Sequence, residues 1–445
     1  MTQSDHFFRR ESARLVAALT RVFGVHNLAM VEDVVQEAFC SAIDTWGRQG
    51  VPHNPAAWLV TVAKNRALDV VRRERTARVF APELGRFLAT EWTLEPVMEE
   101  VFGENAIRDD LLRMMFSCCS PKLAEQSQVA LILRILCGFG VGEIADAFVC
   151  NHSAMEKRIA RAKKELAAAR TLFDVTSDHE FTKRLPAVER ALYLLFNEGY
   201  HGASSLCPVR LELCTEAMRL TALLLDHPLG KTSRVYALGA LMSLHCARLP
   251  ARIDDSGNLT PWSEQNRSKW NVELVDEGLL LLEESSRGRE VTEYHLEALI
   301  ALAHASAECV DRTNWDAILY LYDLLLKKTP SPVVALNRSI ALGRRYGPQR
   351  ALDAIDSISD KHKLFSYPFY FATLGELEMQ LGRPAAAHAH FATAATLARN
   401  SSERRFLESR VAACQVTPQP QGQMATLWDT PLAQFKREAE RGIGS

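Results

Sequence analysis

The sequence predicts an all-α protein in which two small helical domains precede a long array of helical repeats. Three observations carry that expectation. Apolar residues recur almost everywhere at helical spacing, and no stretch alternates for long enough to make a sheet. Two separate segments with helical spacing concentrate positive charge. A pattern of small and apolar residues also returns at a period near 34 residues in the C-terminal half.

At 445 residues the chain exceeds one ordinary domain. It is 47% hydrophobic and 24% charged, which leaves apolar material for several cores. The net charge of -2 says little as a sum, because the charge is unevenly distributed. No apolar run approaches the ~18 residues of a membrane span, and residues 1–14 hold no apolar signal core. A cytoplasmic chain without membrane contact is therefore expected. The ten cysteines form no C-x-x-C pair and the thirteen histidines no H-E-x-x-H. Reduced, mostly buried thiols and no metal or other cofactor are expected. No carboxylate pair comes with a nucleophile or ligand set at fixed spacing, so no catalytic residue is assigned and the protein is expected not to be an enzyme.

The first block, residues 9–78, contains two readable helices. From Val31 to Trp46, Val35, Ala38, Phe39, Ala42 and Trp46 form one apolar stripe. Glu32, Asp33, Gln36, Glu37 and Asp44 lie on the other side, as either a solvated face or a partner surface. Asn54-Pro55 then opens a second helix, with Asn as N-cap and Pro at the first position. Trp58, Leu59, Val62, Ala63, Ala67 and Val70 can pack inward, which places Lys64, Asn65, Asp69, Arg72 and Arg73 largely on the opposite side. Residues 60–78 hold six Lys/Arg against two acids, a balance of +4. Such a helix suits a polyanion, because each neutralised phosphate releases counterions.

Residues 79–107 change character, with Pro82, Pro96 and six glutamates against a single basic residue, Arg86. They read as an acidic linker. The second block, residues 108–172, contains a helix-turn-helix pattern. Ile144, Ala145 and Phe148 point inward from a short first helix, and Asn151 caps the second. Met155, Ile159, Ala162 and Leu166 make its buried stripe, while Lys157, Arg161 and Lys164 point away. Residues 151–170 again hold six Lys/Arg against two glutamates, +4. A helix with a free N-terminus and basic residues further along suits the major groove, where its first residues read base edges and later ones hold phosphates. A helical hairpin solubilised by lysines is the plain alternative.

Residues 180–410 are Leu/Ala-rich and helical in spacing. Ala317, Leu321 and Leu324 return 34 residues later as Ala351, Ile355 and Ile358, and after 36 more as Ala387, Phe391 and Ala394. With Gly375 and Gly382, the last copy has the small and aromatic positions of a tetratricopeptide repeat. Three unrelated Ala-rich helices would look similar. Residues 186–290 show no repeat register, and 411–445 read as a tail.

V-E-D-V-V-Q-E-A-F-C-S-A-I-D-T-W followed by N-P-A-A-W-L-V-T-V-A-K-N-R-A-L-D-V-V-R-R-E-R resembles region 2 of extracytoplasmic-function sigma factors, and the likeness covers residues 10–78 without a gap. R-I-A-R-A-K-K-E-L is similar to the end of region 4 of the same factors. The resemblance implies core RNA polymerase and promoter DNA as partners. It implies that Asp33, Gln36 and Glu37 contact the clamp helices of the largest polymerase subunit, and that Lys64, Asn65, Asp69, Arg72 and Arg73 face the −10 element. Residues 47–54 would hold a flipped −10 base, coupling recognition to melting. The −35 element would meet His152, Ser153, Lys157, Arg158 and Arg161, with Lys164 continuing the basic stripe. Met155-Glu156 departs from the family pattern, which leaves open the base that Glu156 would face. The acidic linker would take the place of region 3 and thread toward the polymerase active centre, although a plain flexible linker has the same composition.

L-L-F-N-E-G-Y (194–200), E-Q-N-R-S-K-W (264–270) and T-P-S-P-V-V-A-L-N-R (329–338) resemble the C-terminal extension of one large group of these factors. Asn197, Glu198 and Tyr200 could line a polar pocket there, or Gly199 could simply end a helix. Stacked helical hairpins present a concave surface. The extension is thus expected to hold a protein partner or an intramolecular contact and to control activity in cis. A stand-alone helix-turn-helix regulator would account for residues 108–172 but not 31–78, and a tetratricopeptide scaffold would account only for the C-terminal half.

Overall fold

The computed structural model describes residues 3–74, 104–148, 150–169, 173, 178–200, 209–252, 260, 264–398 and 400–415. All regular structure among them is helical, in agreement with the all-α expectation. None of these helices is long and apolar enough to cross a membrane. The expected acidic linker (apart from the helical turn at its end) and the tail beyond residue 415 lie outside the described residues. The chain forms two compact units, residues 1–192 and 193–445.

The first unit contains α1 (Gln3–Phe23), α2 (Leu28–Gln49), α3 (Pro55–Glu74), α4 (Glu104–Cys118), α5 (Glu125–Leu131, continued by a π turn to Leu136), α6 (Val141–Ala147), α7 (His152–Ala167) and the start of α8 (Asp178–Tyr200). Helix α1 packs against α2, α3 and α4. Of the stripe expected on α2, Val35, Ala38 and Ala42 are buried, and the buried face extends toward the N-terminus through Leu28, Val31 and Val34. Phe39 and Trp46 are only half-buried. They belong to an aromatic row at the rim, in which Phe8 meets Phe39 at 5.4 Å and Trp46 at 5.9 Å. Trp46 in turn meets Trp58 of α3 edge-on at 5.5 Å. Bulky rings at that end hold three helices together where a smaller stripe could not reach.

The first half of α8 belongs to this unit, although the C-terminal array was expected to begin near residue 180. Phe116 of α4 meets Phe181 at 4.3 Å and Phe173 at 5.0 Å, and the Arg184 guanidinium lies 4.7 Å from the Phe173 ring centre.

The second unit contains the rest of α8, then α9 (Leu211–Asp226), α10 (Ser233–Cys246), α11 (Leu249–Arg252), α12 (Val272–Ser286), α13 (Glu293–Ala305), α14 (Trp315–Lys328), α15 (Pro332–Tyr346), α16 (Pro348–Asp356), α17 (Pro368–Gln380), α18 (Pro384–Thr396) and α19 (Ser401–Ala413). Helix α10 is buried on every side from Ala237 to Cys246 and packs on α9, α12 and α13. A helix apolar all round belongs in a core.

The repeat is clearest in two hairpins. Pro332 and Pro368 open the first helix of each, and Pro348 and Pro384 open the second. Ala351 and Ile355 of α16 are buried at the positions taken by Ala387 and Phe391 in α18. Gly375 of α17 is needed there, because a Cβ would stand 2.8 Å from the Phe391 ring. The copy expected at Ala317, Leu321 and Leu324 is displaced. Those three are half-buried, and α14 instead buries Trp315, Ile318, Leu319, Tyr322 and Leu325. That face packs against Leu296 and Ile300 of α13 and Val334 and Ala341 of α15. Ile358, expected in register, falls beyond the end of α16 and is half-buried.

Cys118, Cys119, Cys137, Cys214 and Cys246 are buried, whereas Cys40 and Cys309 are exposed. Burial pushes the Cys118 and Cys119 thiols well above their usual range, which makes them poor nucleophiles.

Candidate nucleic-acid interface

The helix-turn-helix forms as the spacing predicts. Asn151 Oδ1 accepts a 2.7 Å bond from the Ala154 amide and so caps α7. Met155, Ile159, Ala162 and Leu166 are all buried, and α7 rests on α5 and α6. His152, Ser153, Lys157, Arg161 and Lys164 are exposed, and Arg158 is half-buried. The first turn is thus open to a ligand, with three cationic side chains further along. Glu156 is exposed in that same first part of the helix, where its carboxylate interrupts the positive face.

Region 31–74 is less simple. Asp33, Gln36 and Glu37 are exposed on α2, and Asn65 and Asp69 are exposed on α3. Asn54 Oδ1 caps α3 through the Ala57 amide at 3.1 Å. Lys64, expected on the outer side, is instead 7% exposed beside Ala63. The core face of α3 is broad enough to take in its methylene stem, as long charged side chains permit. Desolvation lowers its pKa. The helix backbone continues through Arg72 and Arg73, whose side chains lie outside the described residues.

Several basic residues are held by acids from distant parts of the chain. Arg66 donates to Glu37 at 2.6 Å and to Ser41 at 3.0 Å, which ties α3 to α2 across exposed surface. Lys163 reaches back to Glu32 on α2, with both carboxylate oxygens within 2.7 Å. Arg9 of α1 donates to Glu143 of α6 at 2.7 Å and lies 4.4 Å from the centre of the Phe139 ring. Asp110 is fully buried between Arg113 at 3.0 Å and Arg21 at 3.5 Å. Its desolvation outweighs both arginines and raises its pKa to about 6. Of these pairs, Asp110–Arg113 alone has a local helical spacing, i and i+3, and the others join distant segments. Lys163, one position before Lys164 and so off the exposed stripe, also shows in the helical register as a residue turned toward its own protein.

The three extension residues converge at the end of α8. Tyr200 is fully buried, stacks near Phe196 at 5.8 Å and lies 5.1 Å from His245. Asn197 and Glu198 are half-buried. Gly199 does not cap the helix, which runs on to Tyr200. A Cβ there would stand 2.7 Å from the Cys214 amide nitrogen, so the glycine permits close approach of α9.

The sigma-70 region 2 model matches residues 7–77, and the sigma-70 region 4 model matches residues 113–166. A family of unknown function (DUF6596) matches residues 184–286. An uncharacterized protein of Rhizobium meliloti (strain 1021) is 37% identical over 396 residues, covering 89% of this chain and 92% of that protein. RNA polymerase sigma factor CarQ of Myxococcus xanthus is 34% identical over 77 residues, 17% of this chain and 43% of that factor. No solved structure matches the chain.

Proposed function

The chain belongs to the sigma-70 family as a sigma factor of the extracytoplasmic-function type with a long C-terminal extension, and from that premise we propose how its surfaces divide the work. Helix α7 enters the major groove at the −35 element, where His152 and Ser153 approach base edges. Lys157, Arg161 and Lys164, with the flank of Arg158, hold phosphates. The carrying observation is the division of α7 into a fully buried stripe and an exposed cationic one. Asn65 and Asp69, followed by Arg72 and Arg73, form the face toward the −10 element. Lys64 would have to leave its buried position to join them.

Asp33, Gln36 and Glu37 form the surface for core polymerase. Their exposure supports that reading, and Arg66 orients Glu37 without covering it. Residues 193–415 act on the initiating unit in cis or through a protein partner, as the stacked hairpins suggest.

In vitro transcription with core polymerase tests this. Specific initiation is expected from the intact chain and a several-fold loss from the Asp33→Ala/Glu37→Ala variant, with unchanged thermal unfolding. Equal affinity of that variant for core in a competition assay would remove the role of the acidic face. The extension is best removed after residue 192, because a cut at 180 would strip Phe181 from Phe116. Unaltered initiation by that shorter chain would overturn control in cis. Binding of duplex promoter without core, and no initiation with it, would favour a stand-alone regulator.

A further inference from the structure

Two of the sequence motifs in the second unit, L-L-F-N-E-G-Y and E-Q-N-R-S-K-W, meet around one group of buried polar side chains. His245, at the end of α10, is 1% exposed, and neither ring nitrogen has a hydrogen-bond partner. Around it stand the Tyr200 ring at 5.1 Å and the Phe196 ring at 6.5 Å. The charges that act on it come from Arg248 and Arg252, with His304 as a third titratable neighbour. His304, also 1% exposed, is influenced by Arg248, Arg267 and Arg344. Both histidines are pushed well below their usual pKa by burial and by these cations, so each is a neutral ring with one donor and one acceptor.

The guanidiniums are arranged on aromatic faces. Arg252 lies 3.9 Å from the Tyr200 ring centre, while Arg248 and Arg267 lie 5.5 Å and 5.1 Å from that of Trp270. Arg248 and Arg252 are 4% and 6% exposed. Arg248 donates at 3.4 Å to the uncharged Gln265, and its Nε has no partner. The indole N–H of Trp270 is buried and likewise without one. Among the described residues, the acids in this part of the unit include Glu198, half-buried on α8, and Glu297, which accepts from the Tyr193 hydroxyl at 2.9 Å. Glu212 acts on Cys214 together with Arg252, and Glu376 faces Arg410 and Arg344. Positive charge held out of water is costly unless negative charge meets it, and unpartnered buried donors at one place call for an acceptor.

We infer that this cluster is a binding site for a small organic anion, a carboxylate or phosphate compound. Arg248 grips it through its planar fork, with His245 and the Trp270 indole N–H completing its hydrogen bonds. The arginine fork matches either oxyanion geometry. The motif residues then have a common purpose that helix packing alone does not give them.

Calorimetric titration of the full chain tests the site without polymerase or DNA, so its outcome is independent of the transcription reading. The probes are inorganic phosphate and citrate at constant ionic strength. Saturable binding of one or both is expected, and their relative affinities separate the phosphate class from the carboxylate class. Arg248→Gln is expected to weaken binding at least 10-fold, and Arg248→Lys less. Arg312→Gln, on exposed surface, should leave it unchanged. Should the Arg248 variants fail to fold, the wild-type titration still decides. Absence of saturable binding by either anion would mean the charge is balanced within the chain and would overturn the site. Equal binding by wild type and a folded Arg248→Gln would overturn it too.

Discussion

Helices α3 and α7 look alike in sequence, each the core of a segment with six basic residues against two acids, yet they do not present the same charge. On α7, Lys157, Arg161 and Lys164 are exposed, and among the described residues Lys163 is the α7 cation paired with an acid, Glu32. On α3, Lys64 is buried and Arg66 is occupied by Glu37. A net charge of +4 is therefore a poor measure of what a nucleic acid meets. What matters is which cations still face water, because a phosphate can displace ions only from those. The helix-turn-helix keeps its charge outward because a narrow stripe of four residues suffices to anchor α7. Helix α3 packs against both α1 and α2, and its wider contact takes in the stem of a lysine.

The largest test of that contrast concerns the anchor. Ile159→Ala should destabilise the first unit by about 2–5 kcal/mol, as other buried Ile or Leu truncations do. Urea unfolding measures it, and a loss near zero would show that α7 does not depend on its stripe. Next in size are two cation removals compared directly. Arg161→Ala should lower affinity for duplex −35 DNA across sequences and reduce the salt slope by about 1. Lys64→Met should leave the slope of −10 binding unchanged, since its charge is already turned inward. If both variants change the slope equally, the distinction between the two helices fails.

A smaller effect belongs to the pair that joins α7 to α2. A double-mutant cycle of Lys163→Ala and Glu32→Ala should give a coupling of about 1 kcal/mol, at the upper end for a pair still in contact with water. Zero coupling in thermal unfolding would make the contact incidental. The smallest effect is a pH slope. Asp110 is raised from an ordinary 3.8 to about 6 by burial. The stability it contributes is complete below the unfolded value and is lost as pH rises through about 6. Asp110→Asn should flatten the melting temperature between pH 4 and 7 relative to wild type. An unaltered slope would assign the titration to another group.

Much of the candidate interface was legible because it depends on local rules. Asn151 and Asn54 cap helices wherever they are followed by suitable turns, and the spacing of Met155, Ile159, Ala162 and Leu166 defines a face without reference to the rest of the chain. The burial of Lys64 was not legible, since it depends on how closely α1 and α2 approach. The repeat was half legible. Prolines at the starts of α15 to α18 and the buried Ala351, Ile355, Ala387 and Phe391 keep one register. The Ala317 copy missed it, because α14 packs with Trp315 and Tyr322, whose size turns the helix. Asn197, Glu198 and Tyr200 were found through their motif. His245, Arg248 and Arg252 were not, because a polar residue among apolar neighbours in sequence says nothing about which other polar residues it will meet.

By itself the sequence determined the all-α class, the two basic helical blocks and the helical array, because helical periodicity, caps and turn residues act over a few residues. Tertiary structure alone decided which cations face solvent, where the first unit ends within α8, and that residues from four separate segments form one buried cationic cluster. Those outcomes depend on contacts between residues far apart in the chain, which no local pattern encodes.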